Sequence, residues 1–292
     1  MNQCEFLEPA TLEEALTLLH KLGVGARVLA GGTDLVVRVR EKRTAPRHVV
    51  NLGNIQTLRG ICFDEARGLV IKPLTTIRHI ELSPDVPGEY DIIRQAAREL
   101  ADPAIRNMAT VGGNICNAAP SADMVPPLIA LAASAKLVSI SGERTVPVEE
   151  LFTGPYTTTI SDGELLVEVL VPPPSVHTAG IYLKHHTRGP KGLGSVGVAL
   201  ALTKIPNKRS VSAARIVLSA VSPTPMRARG AESMLINRTI TRHVIKSAAS
   251  MASDETHPRD SFRGSSAYKK ILVKNLVEDG LSHVLHIMKA MN

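Results

Sequence analysis

The sequence predicts an α+β protein of two domains, and three observations carry that prediction. Helix-period and strand-period segments alternate from Thr11 to Val171, the run Pro172-Pro173-Pro174 interrupts the chain, and beyond it strands come first and helices follow. A triple proline ends the element before it, so the domains are expected at 1–174 and 175–292. With 292 residues, 44% of them hydrophobic, the chain can bury more than one core.

The first helix is expected after Thr11, where Thr11 and Glu14 fit a capping box and Leu12, Ala15, Leu16 and Leu19 recur at helical spacing before Gly23. Ala26 to Ala30 reads as a short buried strand running into Gly31-Gly32-Thr33-Asp34, and Leu35 to Glu41 as a helix capped by Thr33 or Asp34. Short apolar runs alternate with turn residues from Val49 to Leu74, and Asp91 to Leu100 has helical periodicity. A second Gly-Gly turn, Gly112-Gly113, precedes an expected helix over Ala122 to Ala133 and a strand over Ala135 to Ile140. Leu165 to Val171 is a strand that the prolines end. In the second domain Gly180 to Lys184, Val196 to Thr203 and Ala213 to Val221 are expected strands, and Arg229 onward is mostly helical.

Composition narrows the function classes. No basic segment with an apolar run and cleavage site opens the chain, and the longest apolar stretch, Met124 to Ile140, carries two prolines and Lys136, short of the roughly 20 residues a membrane span needs. A cytoplasmic protein is expected, with no membrane partner. Cys4, Cys62 and Cys116 are far apart and odd in number, which favours neither disulfides nor zinc and cannot supply the four thiolates of an iron–sulfur cluster. The net charge of +7 comes with 3% aromatic residues, no Trp and no dense basic run, so nucleic acid is not expected as a partner. Between Glu168 and Glu232 there are nine Lys or Arg and no acid, which marks either a solvated face or a surface for an anionic cofactor or acidic partner.

Two Gly-Gly segments carry the chemistry. A dinucleotide pyrophosphate is held by backbone N–H groups at close approach, which glycine permits. Gly31-Gly32 before a helix start and Gly112-Gly113 beside Thr110 and Asn114 are expected to close on one pyrophosphate from both sides. Asp123 reads as an acceptor for ribose or ribitol hydroxyls or, equally, as a helix cap with Ser121. Gly192-Leu193-Gly194-Ser195-Val196-Gly197 matches G-x-G-x-x-G in letters but follows a loop and has no acid some 20 positions on, so a loop near a site is expected there. His177, His185 and His186 lack a carboxylate and metal-ligand spacing, and no nucleophile elbow surrounds Ser195, Ser219 or Ser222.

The runs Val28-Leu29-Ala30-Gly31-Gly32-Thr33-Asp34-Leu35, Arg106-Asn107-Met108-Ala109-Thr110-Val111-Gly112-Gly113-Asn114-Ile115 and Asn117-Ala118-Ala119-Pro120-Ser121-Ala122-Asp123 resemble the FAD-binding subunits of molybdenum hydroxylases. Those include xanthine dehydrogenase and carbon monoxide dehydrogenase. The resemblance spans the chain and implies a vanillyl-alcohol-oxidase-type FAD fold, with two α/β lobes at about 1–55 and 56–174 and a C-terminal α+β domain closing over the flavin. By carry-over, Arg27, Val28, Leu29, Ala30, Gly31, Gly32, Thr33 and Asp34 with Ala109, Thr110, Val111, Gly112 and Gly113 would hold the pyrophosphate and adjoining sugar. Asn114 and Asp123 would complete the polar contacts, Leu165 or Leu166 would touch the isoalloxazine, and Lys184 would lie near the ring.

Thr33-Asp34 resembles bacterial xanthine dehydrogenase subunits, where carbon monoxide dehydrogenases have a histidine-serine pair. The resemblance implies a large molybdenum-cofactor subunit that oxidises purine, a small [2Fe–2S] subunit that relays electrons, and NAD as hydride acceptor from FAD, with no catalytic acid or base on this chain. The alternatives are a free-standing FAD-dependent oxidoreductase of the same fold, or the FAD subunit of a carbon monoxide or aldehyde dehydrogenase relative.

Overall fold

The computed structural model describes residues 4–186, 194–208 and 210–290. The chain starts with a three-stranded parallel sheet of β1 (Glu5–Leu7), β2 (Ala26–Leu29) and β3 (His48–Asn51), in the order β1-β3-β2. Helix α1 (Leu12–Leu22) lies between β1 and β2, and α2 (Leu35–Arg40) between β2 and β3. Thr11 caps α1 by accepting from the Glu14 N–H at 3.2 Å, and Glu14 reaches back to the Ala10 N–H at 2.8 Å. Ala15, Leu16 and Leu19 are buried on one side of α1, where they pack with Val50, Leu52 and Leu58.

A five-stranded antiparallel sheet follows, of β4 (Ile61–Asp64), β5 (Gly68–Ile71), β6 (Ser134–Ser139), β7 (Gly142–Pro147) and, as its middle strand, β10 (Leu165–Val171). Between β5 and β6 run α3 (Ile77–Leu82), α4 (Asp91–Glu99), α5 (Pro103–Met108), α6 (Val111–Cys116) and α7 (Val125–Ala130). A small hairpin, β8 (Phe152–Gly154) and β9 (Thr157–Thr158), precedes β10.

The last part is a four-stranded antiparallel sheet, β11 (Thr178–His186), β12 (Gly194–Lys204), β13 (Val211–Ser219) and β14 (Met226–Arg227), with α8 (Arg229–Leu235), α9 (Arg242–Asp254) and α10 (Ser266–Ala290). Alternate residues of β12 point to opposite faces. Val198, Leu200 and Leu202 pack on the helices, while Ala199 and Ala201, with Tyr182 and Val217, join the core around α4 and α7. That shared core fixes the last sheet against the elements that precede it.

Several expectations shift. The helix expected over Ala122 to Ala133 is shortened to α7, because Pro126 and Pro127 lack an N–H and are tolerated in a first turn, and Ala132 at φ 59° breaks the spiral. Gly112-Gly113 is not a free turn but the first turn of α6, whose cap Thr110 accepts from the Gly113 N–H at 3.1 Å. Asp34 occupies the N-cap position of α2 without a side-chain capping bond, and its backbone is already helical. Strand β7, polar and largely exposed, has no apolar alternation to announce it.

On β10, Glu168 accepts from Arg67 at 2.6 Å and Lys72 at 2.9 Å. Burial pushes its carboxyl up, but Lys72 and Arg67 outweigh that and hold it below the ordinary 4.5. A lowered folded pKa adds stability that is present above 4.5 and lost as pH falls through the folded value. Glu168→Gln is therefore expected to cost about 1.5 kcal/mol at pH 7. The gap between wild type and variant in urea midpoints should close as the pH drops below 4.5; a gap constant with pH would contradict the ion-pair account.

Candidate functional site

The carboxyl end of β2 opens into a cleft of about 720 Å³, where ligands of parallel sheets characteristically sit. Strand β2 delivers the first Gly-Gly segment, α6 the second, and the ends of β10 and β11 the far wall.

Backbone packing brings the two glycine segments together. A Cβ on Gly31 would lie 1.9 Å from the Met108 carbonyl oxygen, and one on Gly112 would lie 2.8 Å from the Pro73 carbonyl oxygen. Both glycines are therefore required by close approach of main chain, not by turn conformation alone. Their amides differ. The N–H groups of Val111, Gly112 and Gly113 are committed to Thr75 O, Pro73 O and Thr110 Oγ1. Those of Gly31, Gly32, Thr33 and Asp34 have no acceptor among the described residues. The expected two-sided cradle is thus one-sided in its backbone donors: the first segment offers N–H groups, and the second supplies a surface without side chains.

Of the sequence-predicted residues, Arg27, Val28, Ala30, Gly31, Gly32, Thr33, Asp34, Ala109, Thr110, Gly112, Gly113, Asn114, Asp123, Leu165, Leu166 and Lys184 all line the cleft. Leu29 and Val111 do not. Val111 is fully buried in the main core, and alternation along β2 turns Leu29 away from its cleft-lining neighbours Val28 and Ala30. The Arg27 guanidinium is tied to its own loop carbonyls, Ala26 O at 2.8 Å and Val24 O at 3.2 Å. Asn114 Oδ1 accepts from the Met124 N–H at 3.1 Å, which leaves its Nδ2 as a donor.

Asp123 is no helix cap, since α7 begins after it. Its carboxylate accepts from Tyr182 Oη at 2.8 Å and from Lys184 Nζ at 2.8 Å. Lys184, its side chain 5% exposed, also donates to the Glu99 carbonyl at 2.9 Å. Burial pushes the Asp123 carboxyl up, with Lys184 pulling the other way. The cation expected beside the cleft is present, but it is neutralised by a buried partner.

Sequence reasoning passed over two further cleft residues, Arg38 and Tyr156. Arg38 of α2 donates to Asn117 Oδ1 at 3.4 Å and stacks over the Tyr156 ring at 5.2 Å. Asp34, one turn before Arg38, is pushed above its ordinary value by burial, with Arg38 and Asn117 opposing. Tyr156 lies 118 positions from Arg38 and carries no motif, so no local signal links them; its φ of 61° is the only hint of a constrained role.

Residues 2–174 match the family model for the FAD binding domain in molybdopterin dehydrogenase, and residues 182–284 the model for the CO dehydrogenase flavoprotein C-terminal domain. The carbon monoxide dehydrogenase medium chain of Hydrogenophaga pseudoflava is 32% identical over 278 residues, 95% of this chain and 96% of that one. A putative xanthine dehydrogenase FAD-binding subunit of Escherichia coli K12 is 31% identical over 94% of each chain. Among solved structures, carbon monoxide dehydrogenase from Hydrogenophaga pseudoflava superposes with a TM-score of 0.92 at 32% identity, covering 97% of both chains. Quinoline 2-oxidoreductase from Pseudomonas putida 86 reaches 0.90 at 26% identity, covering 99% of both.

Fold and cleft thus define a flavoprotein component of an oxidoreductase. The chain belongs to the FAD-binding subunits of the molybdenum hydroxylase family. Carbon monoxide and xanthine dehydrogenase relatives stand at nearly the same identity, so overall similarity does not separate them. Among the described residues no helix is long and apolar enough to cross a membrane, and no cluster of three His, Cys, Asp or Glu stands ready for a metal.

Proposed function

We propose that this chain is the FAD-binding subunit of a xanthine dehydrogenase-type molybdenum hydroxylase, which takes electrons from a [2Fe–2S] partner and passes them as hydride to NAD while a large molybdenum-cofactor partner oxidises hypoxanthine or xanthine. The observation that carries the cofactor assignment is the cleft floor: unspent N–H groups at Gly31, Gly32, Thr33 and Asp34 line the same cleft as Gly112 and Gly113, whose own amides are spent. This donor set fits a pyrophosphate, which needs main-chain donors at short range. When bound, FAD supplies the exchange between one-electron donors and a hydride acceptor.

The chain's own residues bind and orient. Gly31 to Asp34 would take the phosphates, Asn114 Nδ2 a sugar or phosphate oxygen, and the buried Leu165 and Leu166 an apolar ring face. Lys184 is held in place by Asp123 and Glu99, so it offers a fixed donor and not a free charge. The xanthine assignment rests on Thr33-Asp34, and the domains at 1–174 and 175–292 follow the proline break.

The test is the tagged chain isolated with its partners. Flavin and iron–sulfur absorbance, xanthine-dependent NADH formation, and anaerobic bleaching of the flavin by NADH are the expected results. Carbon monoxide or an aldehyde acting in place of xanthine would move the substrate assignment, and a flavin untouched by NADH would remove NAD.

A further inference from the structure

The segment Arg259 to Gly264, between α9 and α10, is anchored on several sides. Lys269 Nζ donates to Arg259 O at 2.6 Å and Ser261 Oγ at 3.0 Å, and Ser195 Oγ, fully buried at the start of β12, donates to Arg263 O at 2.8 Å. Asp260 caps α10 through the Ser266 N–H. This gives a role to the part of the G-x-G-x-x-G run that the structure describes: Gly194 to Gly197 begin β12, and Gly192 and Leu193 lie outside the described residues.

So firmly held a loop presents a tip with unspent capacity. Phe262 is 78% exposed. The Arg263 guanidinium lies 5.2 Å over the Phe262 ring and reaches Ser121 Oγ, on the cleft wall, at 3.2 Å. Its Nε is buried without an acceptor among the described residues. His185 Nδ1, at the adjoining end of β11, is in the same state, with Tyr268 Oη 3.4 Å from its other nitrogen. Among the described residues the guanidinium donates only to Ser121, through Nη1, so Nη2 keeps its donors for a ligand at the tip.

We propose that this tip is the docking site for a pyridine dinucleotide, with Arg263 taking a phosphate and Phe262 a ring face. The inference rests on the reading of NAD as acceptor and assigns the residues that receive it. A guanidinium with unspent donors matches phosphate geometry, and an exposed aromatic face offers offset stacking to nicotinamide or adenine. The net charge of +7 favours an anionic ligand. Because the loop is already fixed, little ordering entropy opposes binding.

The experiment uses the complex carrying Arg263→Ala, Arg263→Lys or Phe262→Ala, with NADH as the probe. Flavin content and partner chains are measured first, then the NADH concentration dependence of anaerobic flavin reduction. Loss of a charge-assisted hydrogen bond predicts a rise in half-saturating NADH of about tenfold or more for Arg263→Ala, partial recovery in Arg263→Lys, and a smaller rise for Phe262→Ala. Unchanged half-saturation in Arg263→Ala, with wild type still reduced, overturns this site and leaves the acceptor assignment standing. Loss of partner chains from the variants also overturns it, because the tip would then be a subunit contact. A wild-type complex that NADH does not reduce removes the acceptor reading, and this inference with it.

Discussion

Gly31→Ala is expected to yield a colourless protein. The new Cβ would sit 1.9 Å from the Met108 carbonyl oxygen, 2.8 Å from its carbon and 3.1 Å from Ala109 Cα, all main-chain atoms that no rotamer change can move. The two glycine segments must separate, which takes the unspent N–H groups of the first away from the surface of the second. Overpacking of this kind costs about 3 kcal/mol, and the larger effect falls on flavin content, expected below about a tenth of wild type since each 1.4 kcal/mol is tenfold in affinity. Gly32→Ala is the control. Its Cβ would meet only the side chains of Leu29 and Val36, at 3.3 and 3.4 Å, although φ of 74° adds strain of about 1–2 kcal/mol. Flavin absorbance per chain in the two variants decides the matter: equal retention would mean that close approach does not build the site.

Asp123→Ala is expected to cost about 3–5 kcal/mol, because it strands the buried Lys184 ammonium beside a single carbonyl, that of Glu99. The double variant Asp123→Leu with Lys184→Met should recover most of that loss, since removing both charges also removes their desolvation. Burial pushes the Asp123 carboxyl up despite Lys184, and the pair holds Lys184 at the cleft. Urea midpoints of the two singles and the double are the measurement. A double variant no more stable than Asp123→Ala would show that the pair contributes net stability.

Much of this protein is legible in its sequence. The capping box at Thr11 and Glu14 forms as spaced, strand β10 runs from Leu165 to Val171 as read, and the chain past Arg229 is mostly helical. These features depend on interactions within one or two turns, or on an apolar period, and both are written along the chain. The glycine segments were visible for the same reason, as residues that local sterics set apart. The expected helix over Ala122 to Ala133 failed where local signals conflicted, apolar continuity pointing to a long helix and two prolines confining it to its first turn.

By itself, then, the sequence determined most of the elements and the family, and it named candidate residues for a dinucleotide. Only the tertiary structure decided how those residues spend their bonds: that the Gly112 amide is taken by Pro73, that Asp123 faces Lys184 across 61 positions, and that Arg38 lies over Tyr156. The physical reason is that capping and periodicity act over a few residues. A buried donor or carboxylate instead takes whatever partner the packed chain brings within about 3 Å, and that neighbour is set by the whole fold.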